Sequence, residues 1–350
     1  MISVESRNPS QRQIAAALGI SVSTVSRALS DAAGVSEELR QRVLKAAGDL
    51  GYGKAPRAAA RPQRDSGTEG GRVGMFVTLD TFPGDSAGFY HDILRGADDE
   101  LKRNGVAVDM VFVQDGNRAA RYVTDYCADH PGCGVMLVAL DHPDLIAAAA
   151  EAGSQLVIVN GWDPQMRADG VMPANDRGAR LAADHLLGLG HRRIAIVSAH
   201  HRPTLHERFH NFRNSLPEPP AALLEIALPH PDLAFDAMRR HLAAHPLDFT
   251  AVLCGNDLIA VGVLQALEER GIPVPERCSV IGFDDIPLAA MSRPRLTTVR
   301  IDRDGIGRLS ARRLLERMAE PDLTPVDIRL GCRVVVREST APAPTPDTET

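Results

Sequence analysis

An alternation of apolar, strand-like runs with helical segments between residues 72 and 283 constrains the fold of this 350-residue chain more than any other feature. The apolar runs have the lengths of buried strands and lie at 73–79, 106–113, 134–140, 156–160, 194–198, 251–254 and 278–283. Helical segments separate several of them, at 89–104, 177–189, 209–216 and 258–270. Strands that alternate with helices form parallel sheets in α/β layers. Because the alternation restarts at 177, the sequence predicts two lobes with a cleft between them.

Three polar residues stand at the carboxyl ends of these apolar runs, namely Asn160, Asn256 and Asp284. Open parallel sheets bind ligands beyond the carboxyl ends of their strands, so these residues are candidate ligand contacts. Asn and Asp are also favoured in loops and at helix caps, where they hydrogen-bond nearby backbone. Placement alone therefore leaves a ligand contact and a structural role equally open.

The first fifty residues have a different pattern, that of three short capped helices. Ser10 caps a first helix that ends at Gly19, and Ser21 caps a second helix with Val25 on its apolar face. A third helix opens at Ser36. The sharp turn between the first two helices predicts a helix-turn-helix, although any three-helix module shows similar periodicity. The opposite face of the second helix carries Val22, Ser23, Ser26 and Arg27.

The distribution of charge separates this segment from the rest of the chain. Residues 1–64 carry ten Lys and Arg against five Asp and Glu, whereas the whole chain carries 39 against 45 and has a formal net charge of −6. A local excess of basic residues favours binding to a polyanion. We therefore expect nucleic acid as the partner of the first segment only.

Composition and patterning also set the expected domain limits. We assign a headpiece to 1–52, a Pro-, Gly- and Arg-rich linker to 53–71 and an α/β domain to 72–340, with a disordered Pro- and Thr-rich tail at 341–350. Within the α/β domain the lobe boundary is expected near 160–172, with the chain crossing back near 290–300 and 325–330. The tail carries no leucine heptad, which favours a dimer over a tetramer.

Several short sequences closely resemble those of the LacI/GalR family of bacterial transcription regulators. In the headpiece they are Ser-Thr-Val-Ser-Arg at 23–27, Val-Ser-Glu-Glu at 35–38 and Leu-Gly-Tyr at 50–52. In the α/β domain they lie at 171–179, 187–195, 255–262, 280–287 and 294–299. The resemblance implies an all-α helix-turn-helix headpiece joined to a two-lobed α/β domain similar to type I periplasmic binding proteins. It also implies an effector held between the lobes.

The resemblance assigns roles to headpiece residues. Val22, Ser23 and Arg27 match positions that read base edges, and a guanine is the natural partner of Arg27. Phosphate contacts are implied for Ser10, Thr24 and Ser26. Arg61 stands where the family has a leucine wedge for the minor groove, or Pro62 does if the alignment shifts by one residue. Insertion of Arg61 into a narrow minor groove is our hypothesis for this departure.

The same comparison assigns the effector contacts. Arg208 matches the arginine of an R-x-x-G-[FY] segment, although Asn211 replaces its glycine, and Asn160, Asn256 and Asp284 match polar effector contacts. A planar guanidinium suits vicinal hydroxyls or a carboxylate. A surface salt bridge with Glu207 or a neighbouring acid is the alternative for Arg208. The first pocket loop, residues 82–90, departs most from the family, and from it we expect Phe82 and Asp85 to contact the effector.

These observations predict a DNA-binding repressor that recognises a palindromic operator as a homodimer and responds to a small molecule. A sugar is the favoured effector, because most relatives sense carbohydrates; a purine-like or phosphorylated-sugar corepressor stays open. We expect no cofactor and no enzymatic activity, because no nucleophile elbow, P-loop or dinucleotide motif is present. A metal-dependent enzyme or sensor built on the histidines between His200 and His210 is the weaker alternative.

Location and redox state follow from simple features of the sequence. No apolar stretch approaches the roughly 20 residues of a membrane span, and no signal-peptide pattern follows Met1, so we expect a cytoplasmic protein. The five cysteines form no paired motif, and we expect them to be small buried apolar residues without disulfides.

Overall fold

The computed structural model describes residues 71–78, 87–113 and 119–344, together with 15, 18, 20, 21, 24, 25, 39, 42, 43 and 46. The chain divides into two compact units, residues 1–67 and 68–350. Apart from Ser21, the predicted bounds of the headpiece helices lie outside the described residues, as does nearly all of the linker at 53–71.

In the first unit the described residues form a small helical core. Ala15, Val25 and Val43 are buried against one another, and Leu18, Ile20, Leu39 and Ala46 pack around them. The side-chain oxygen of Ser21 accepts a hydrogen bond from the backbone N of Thr24 at 3.0 Å. This bond confirms the predicted cap of the second helix, because it satisfies one of the unpaired N–H groups at a helix start.

The second unit contains two six-stranded sheets flanked by helices. Its strands are β1 Arg72–Thr78, β2 Ala107–Val113, β3 Gly134–Val138, β4 Gln155–Val159, β5 Asp169–Pro173, β6 Ile194–Ala199, β7 Ala222–Ile226, β8 Ala251–Cys254, β9 Ser279–Asp284, β10 Thr297–Arg300, β11 Asp327–Leu330 and β12 Arg333–Val335. Its helices are α1 Ala87–Arg103, α2 Ala119–Asp129, α3 Pro143–Glu151, α4 Asn175–Gly188, α5 Pro203–Ser215, α6 Pro231–Ala244, α7 Asp257–Glu269, α8 Pro287–Met291 and α9 Arg303–Ala319.

Each sheet is the centre of one lobe. The first has the order β11-β5-β4-β3-β1-β2 with parallel neighbours throughout. The second has the order β12-β10-β9-β8-β6-β7, in which only the β10–β12 pair is antiparallel. The central strands β3, β6, β8 and β9 are buried along their whole length, as expected for sheets covered on both faces. The predicted two-lobed α/β architecture is therefore confirmed.

The chain passes between the lobes three times. It leaves the first lobe after β5, returns between β10 and α9, and leaves again between β11 and β12. Our sequence interpretation placed the first crossing near 160–172, but β5 is still paired with β4 in the first sheet and the crossing follows Pro173. The returns expected near 290–300 and 325–330 lie at 301–302 and 331–332. The strands beside these crossings are short and carry too few residues for a clear alternation. The sequence pattern therefore does not show where the chain crosses.

Close helix packing fixes α9 to the first lobe. A Cβ atom on Gly307 would lie 1.9 Å from the backbone oxygen of Ile93, and one on Gly96 would lie 2.4 Å from the backbone oxygen of Asp304. These two glycines allow the backbones of α1 and α9 to approach each other. A segment distant in sequence therefore completes the first lobe.

Two predicted segments require correction. The helix expected at 209–216 begins at Pro203, because proline at the first turn needs no backbone donor and the preceding Arg202 is extended. The tail at 341–350 is not disordered throughout: the N–H of Ala343 donates to the backbone oxygen of Leu189 at 2.8 Å, which anchors residues 341–344 to the second lobe. Residues 345–350 lie outside the described part of the chain.

The cysteines behave as predicted. Cys127, Cys133, Cys254 and Cys278 are buried, Cys332 is half-buried, and all five are free thiols. None of the helices that the structure describes combines the length and the apolar character needed to cross a membrane.

Candidate functional site

A cavity of about 380 Å³ lies between the two lobes. It opens at the carboxyl ends of strands from both sheets, where ligands of parallel sheets bind. The four described residues predicted to contact an effector, Asn160, Arg208, Asn256 and Asp284, all line it. Phe82 and Asp85, predicted from the first pocket loop, lie outside the described residues.

Arg208 and Asp284 form a buried ion pair at the centre of the second-lobe wall. Their side chains are 3% and 9% exposed, and 2.9 Å separates Arg208 Nη1 from Asp284 Oδ1. Arg208 also donates to Asn175 Oδ1 at 2.7 Å and to the backbone oxygen of Gly255 at 3.1 Å. Its guanidinium carbon lies 3.9 Å from the centre of the Phe283 ring, a cation–π contact.

The alternative interpretation of Arg208, a surface salt bridge with Glu207 or a neighbouring acid, is wrong, because its side chain is buried and pairs with the buried Asp284. Glu207 pairs instead with Arg329 of β11, whose Nη1 lies 2.6 Å from its Oε1. The helix α5 turns Arg208 towards the second sheet and Glu207 away from it, because successive residues on a helix are about 100° apart.

Burial raises the pKa of two acids here, Asp284 of this pair and the neighbouring Asp257. Burial raises the pKa of Asp284, and the positive charges of Arg208 and Arg303 offset part of that rise. The pKa of Asp257 rises further, first because it is buried and then because Asp284 lies nearby. Asp257 accepts a hydrogen bond from the backbone N of Ile286 at 2.8 Å, which favours its charged form but does not reverse the shift.

The backbone at the end of β9 is strained. Asp284 has φ of 105° and Asp285 has φ of 52°, values that non-glycine residues seldom adopt. The Nη1 group of Arg303 donates to the backbone oxygens of both residues, at 2.6 and 3.0 Å, and holds this conformation. Such strain is commonly stored at functional sites, where it aims a side chain.

Both asparagines line the cavity, and Asn256 also has the structural role that the sequence left open. The side-chain oxygen of Asn256 caps α7 by accepting from the backbone N of Ile259 at 3.0 Å, while the residue still lines the cavity. Asn160 follows β4 with φ of 57°, and its Nδ2 lies 3.4 Å from the hydroxyl of Tyr90. Its Oδ1 has no hydrogen-bond partner among the described residues.

Arg202 is a cavity residue that the sequence analysis missed. It stands between β6 and α5, and its Nη2 donates to Asp141 Oδ2 at 2.9 Å and to the backbone oxygen of Asn160 at 2.7 Å. Its Nη1 donates to the hydroxyl of Tyr90 at 3.1 Å. The signal used for Asn160, a polar residue directly after a strand, does not mark Arg202, because His200 and His201 stand between it and the end of β6.

The histidine cluster does not form a metal site of three or more ligands. His206 Nε2 and His210 Nε2 lie 3.0 Å apart on α5, and His200 Nδ1 lies 3.8 Å from Glu225 Oε2. Across the described part of the chain, no group of three or more His, Cys, Asp or Glu side chains is placed to hold a metal ion. The structure therefore gives the metal alternative no support.

Of the predicted DNA contacts, Thr24 is the one that the structure describes. Its hydroxyl lies 2.8 Å from the Ser21 hydroxyl at the start of the second helix. The other predicted contacts lie outside the described residues: Ser10, Val22, Ser23, Ser26, Arg27 and Arg61.

Comparison with known proteins extends these observations to both units. Residues 12–54 match the family described as bacterial regulatory proteins, lacI family, and residues 183–340 match the periplasmic binding protein-like domain. The chain is 30% identical over 345 residues to the HTH-type transcriptional regulator reg1 of Streptomyces lividans, covering 95% of this chain and 96% of the relative. It is 27% identical over 318 residues to the HTH-type transcriptional repressor PurR of Haemophilus influenzae strain PittEE, covering 89% and 91%.

A solved structure gives the same result. The transcriptional regulator CelR in complex with cellobiose matches with a TM-score of 0.69 and 26% identity, covering 95% of this chain and 99% of that one. The relatives are transcription regulators and not enzymes, and they share both the helix-turn-helix and the type I periplasmic-binding-like fold. The chain therefore belongs to the lacI family of bacterial regulatory proteins and is a DNA-binding transcription regulator.

Proposed function

We propose that this regulator is a cytoplasmic repressor that binds a palindromic operator as a homodimer, and that a small neutral effector in the cleft controls its affinity for DNA. The observation that carries this proposal is the cavity between the lobes, where polar groups from both sheets converge. The proposed domain limits keep the headpiece at 1–52, the linker at 53–71 and an effector domain that begins at 72. The sequence interpretation ended that domain at 340, and we extend it to 344 because residues 341–344 are anchored to the second lobe.

The charges around the cavity favour an uncharged, polyhydroxylated effector. Each of its arginines already has an acid beside it, Asp284 for Arg208 and Asp141 for Arg202. A phosphate or carboxylate would add a charge with no unmatched arginine to neutralise it, which is costly in a buried site. We therefore favour a sugar over a phosphorylated sugar as the effector. The relative CelR was solved with cellobiose, which agrees with this order.

The polar side chains that line the cavity suit hydroxyl groups. Donors and acceptors stand together there, namely the guanidinium groups of Arg202 and Arg208, the carboxyl group of Asp284 and the amide of Asn160. A hydroxyl can both donate and accept, so a polyhydroxylated ligand suits this mixture. Apolar side chains complete the wall and suit the C–H face of a sugar ring: Phe89, Leu205, Leu228 and Leu233.

Control of DNA binding would operate through a population shift. An effector that contacts both lobes stabilises one lobe arrangement over another, because it makes its full set of contacts in only one of them. The first lobe follows the linker directly, so a change in lobe arrangement would alter the placement of the two linkers in a dimer. The affinity for the operator would change by the same coupling free energy.

On DNA we propose the contacts that the family resemblance assigns. Val22, Ser23 and Arg27 would read base edges in the major groove, with Arg27 paired to guanine O6 and N7. Ser10, Thr24 and Ser26 would contact phosphates, and Arg61 would enter the minor groove. Binding would fall steeply with salt, because phosphate neutralisation releases counterions.

Dimerisation is supported by exposed apolar side chains on the first lobe. Met110 and Phe112, two residues apart on the edge strand β2, are 40% and 51% exposed. Large apolar side chains exposed at a sheet edge commonly mark a protein interface. A helix-turn-helix dimer places one recognition helix at each half-site of a palindrome.

In vitro selection of operator DNA with the full chain tests this proposal, followed by titration of the selected duplex with sugars, sugar phosphates and nucleobases. We expect a palindromic consensus, loss of specific binding in Arg27→Ala, and a change of operator affinity with a neutral sugar. The effect of that sugar should disappear in Asp284→Ala, which keeps the headpiece intact. Failure to select any consensus would contradict the operator proposal, and a response only to phosphorylated ligands would contradict the neutral effector.

A further inference from the structure

Polar contacts between the two lobes fall into two groups by their distance along the chain from the crossings. Arg303 and Arg329 lie within two residues of the crossings at 301–302 and 331–332, and they contact the second lobe there. Atoms close to a hinge move little when two bodies rotate about it. These contacts can therefore persist in both an open and a closed arrangement.

Arg202 belongs to the other group. Its three acceptors come from three separate places in the first lobe: Tyr90 on α1, Asp141 after β3 and the backbone of Asn160 after β4. None of these residues adjoins a crossing segment. Rotation of the lobes away from each other would break all three contacts together.

We propose that Arg202 is an interlobe clamp, a positioning residue that holds the cleft closed through contacts supplied by the chain itself. The inference rests on the proposed function, in which lobe arrangement controls affinity for effector and operator. Arg202 would thus set how much of the population is closed before any effector binds. It would act by positioning the lobes, whichever ligand the cavity accepts.

The chemistry of the contact suits this role. A guanidinium is planar, always charged and able to donate to several acceptors at fixed angles, and here it meets a carboxylate, a carbonyl and a hydroxyl. The side chains of Arg202 and Asp141 are only 14% and 10% exposed, so their ion pair is weakly screened by solvent. Closure therefore brings together groups that attract one another strongly.

The clamp is compatible with a bound effector. Arg202 lines the cavity together with Tyr90 and Asn160. An effector that contacts these residues from inside the cavity can leave their contacts with one another in place. Effector binding would then strengthen a closure that the protein already favours.

The clamp has a measurable consequence for affinity. When only a fraction of the molecules is competent to bind, the apparent dissociation constant equals the intrinsic one divided by that fraction. A loss of the clamp that lowers the closed fraction about tenfold would weaken effector binding about tenfold. If the open arrangement differs in operator affinity, the same variant would also change operator binding without any small molecule.

Distance measurements between the lobes test the clamp without a ligand or DNA. Labels attached through unnatural amino acids at 144 and 232 avoid the five cysteines, and these positions are 92% and 86% exposed. Both lie at the starts of helices, at the sheet ends that face the cleft, so opening should lengthen the label separation. Labelled chain would be diluted with unlabelled chain, so that pulsed electron spin resonance reports distances within one protomer.

We expect a narrow distance distribution in the wild type and a longer, broader one in Arg202→Ala. Asp141→Asn, which keeps the shape of the acceptor but removes its charge, should shift in the same direction. Arg180→Ala is the matched control, because Arg180 is an exposed arginine that pairs within its own helix with Asp184. Circular dichroism would establish that each variant is folded. Distributions that are unchanged in folded Arg202→Ala and Asp141→Asn would overturn the clamp.

Operator binding separates failure of the clamp from failure of the proposed function. The probe is the duplex selected with the wild-type chain, measured without small molecules. A longer interlobe distance with about a tenfold change in operator affinity in Arg202→Ala supports both proposals. A longer distance with unchanged operator affinity supports the clamp and contradicts the proposed coupling between lobes and DNA.

Discussion

Two arginines line the same cavity and each pairs with an aspartate, yet one pair lies within a lobe and the other joins the two lobes. Arg208 and Asp284 both belong to the second lobe and are almost completely buried, at 3% and 9% exposure. Arg202 and Asp141 belong to different lobes and are slightly more exposed. The same chemistry therefore has two consequences: the first pair can be separated only by disrupting a core, the second by a movement of whole lobes.

This difference teaches that the energetic role of a buried ion pair depends on what must move to break it. Removing one partner inside a rigid core leaves the other charge buried and unpaired. Between two lobes, opening exposes the remaining charge to water. The loss of the ion pair then appears as a shift towards the open lobe arrangement. The following predictions test this contrast, from the largest expected effect to the smallest.

The largest effect is expected from Arg208→Ala. This variant leaves Asp284 without its closest positive partner and should lower the free energy of unfolding by about 3–5 kcal/mol. Urea denaturation of the full chain measures it, with Arg180→Ala as an exposed control expected to stay within about 0.5 kcal/mol. The double variant Arg208→Ala/Asp284→Ala should recover part of the loss. A loss below about 1 kcal/mol would mean that the pair is no more than a surface-type bridge.

Asp257, beneath the same pair, should give the second lobe a distinct dependence on pH. Its folded pKa is raised by burial, so the folded state holds the proton more tightly than the unfolded chain, whose value is near 3.8. The stabilising contribution is complete below that pH and declines by about 1.4 kcal/mol per pH unit until the folded group ionises.

Comparison of the wild type with Asp257→Asn isolates this contribution, because the amide resembles the protonated acid and cannot ionise. The difference in free energy of unfolding between the two proteins should move in favour of the variant as pH rises above about 4. Asp144→Asn, at an exposed position, serves as the control and should show little difference. Parallel curves for wild type and Asp257→Asn would contradict the raised pKa.

Arg202→Ala should have a smaller effect on global stability, about 1 kcal/mol, because Asp141 regains water when the lobes open. The same variant should lengthen the interlobe distance, which Arg208→Ala should leave unchanged as long as it folds. Denaturation and distance measurements on both variants check this opposite pattern of effects on stability and on lobe separation. A large loss of stability in Arg202→Ala with no opening would place its pair in the same class as Arg208 and Asp284.

The smallest effect is expected from Tyr90→Phe. It removes a single hydroxyl, which lies 3.1 Å from Arg202 Nη1, and leaves the acceptors from Asp141 and Asn160 in place. A loss of about 0.5 kcal/mol and a slight broadening of the distance distribution are expected. An opening as large as that of Arg202→Ala would show that the hydroxyl, and not the carboxylate, dominates the clamp.

A site residue could be predicted from the sequence where its neighbours along the chain determine its position. Asn160, Asn256 and Asp284 follow buried strands directly, so local patterning and the sheet rule placed them together. Arg208 lies inside a helix that the apolar periodicity placed six residues too late, and the family resemblance supplied it. Arg202 was missed because its significance lies in partners 42 to 112 residues away.

The fold likewise has features set by neighbouring residues and features set by distant ones. The long alternation of strands and helices is a local property of the chain, and it determined two α/β lobes with a cleft between them. The headpiece motif and its excess of basic residues likewise determined a DNA-binding unit, because helix caps, turns and local charge depend on residues that are adjacent in the sequence.

Only the tertiary structure decided the three crossings between lobes, the return of α9 to the first lobe and the pairing of Arg202 with Asp141. Each depends on short strands or single side chains brought together from distant parts of the chain, and periodicity carries no information about such long-range contacts. Local sequence thus specified the elements and the site's location. Packing in three dimensions selected which charges meet, and whether they meet within one lobe or across two.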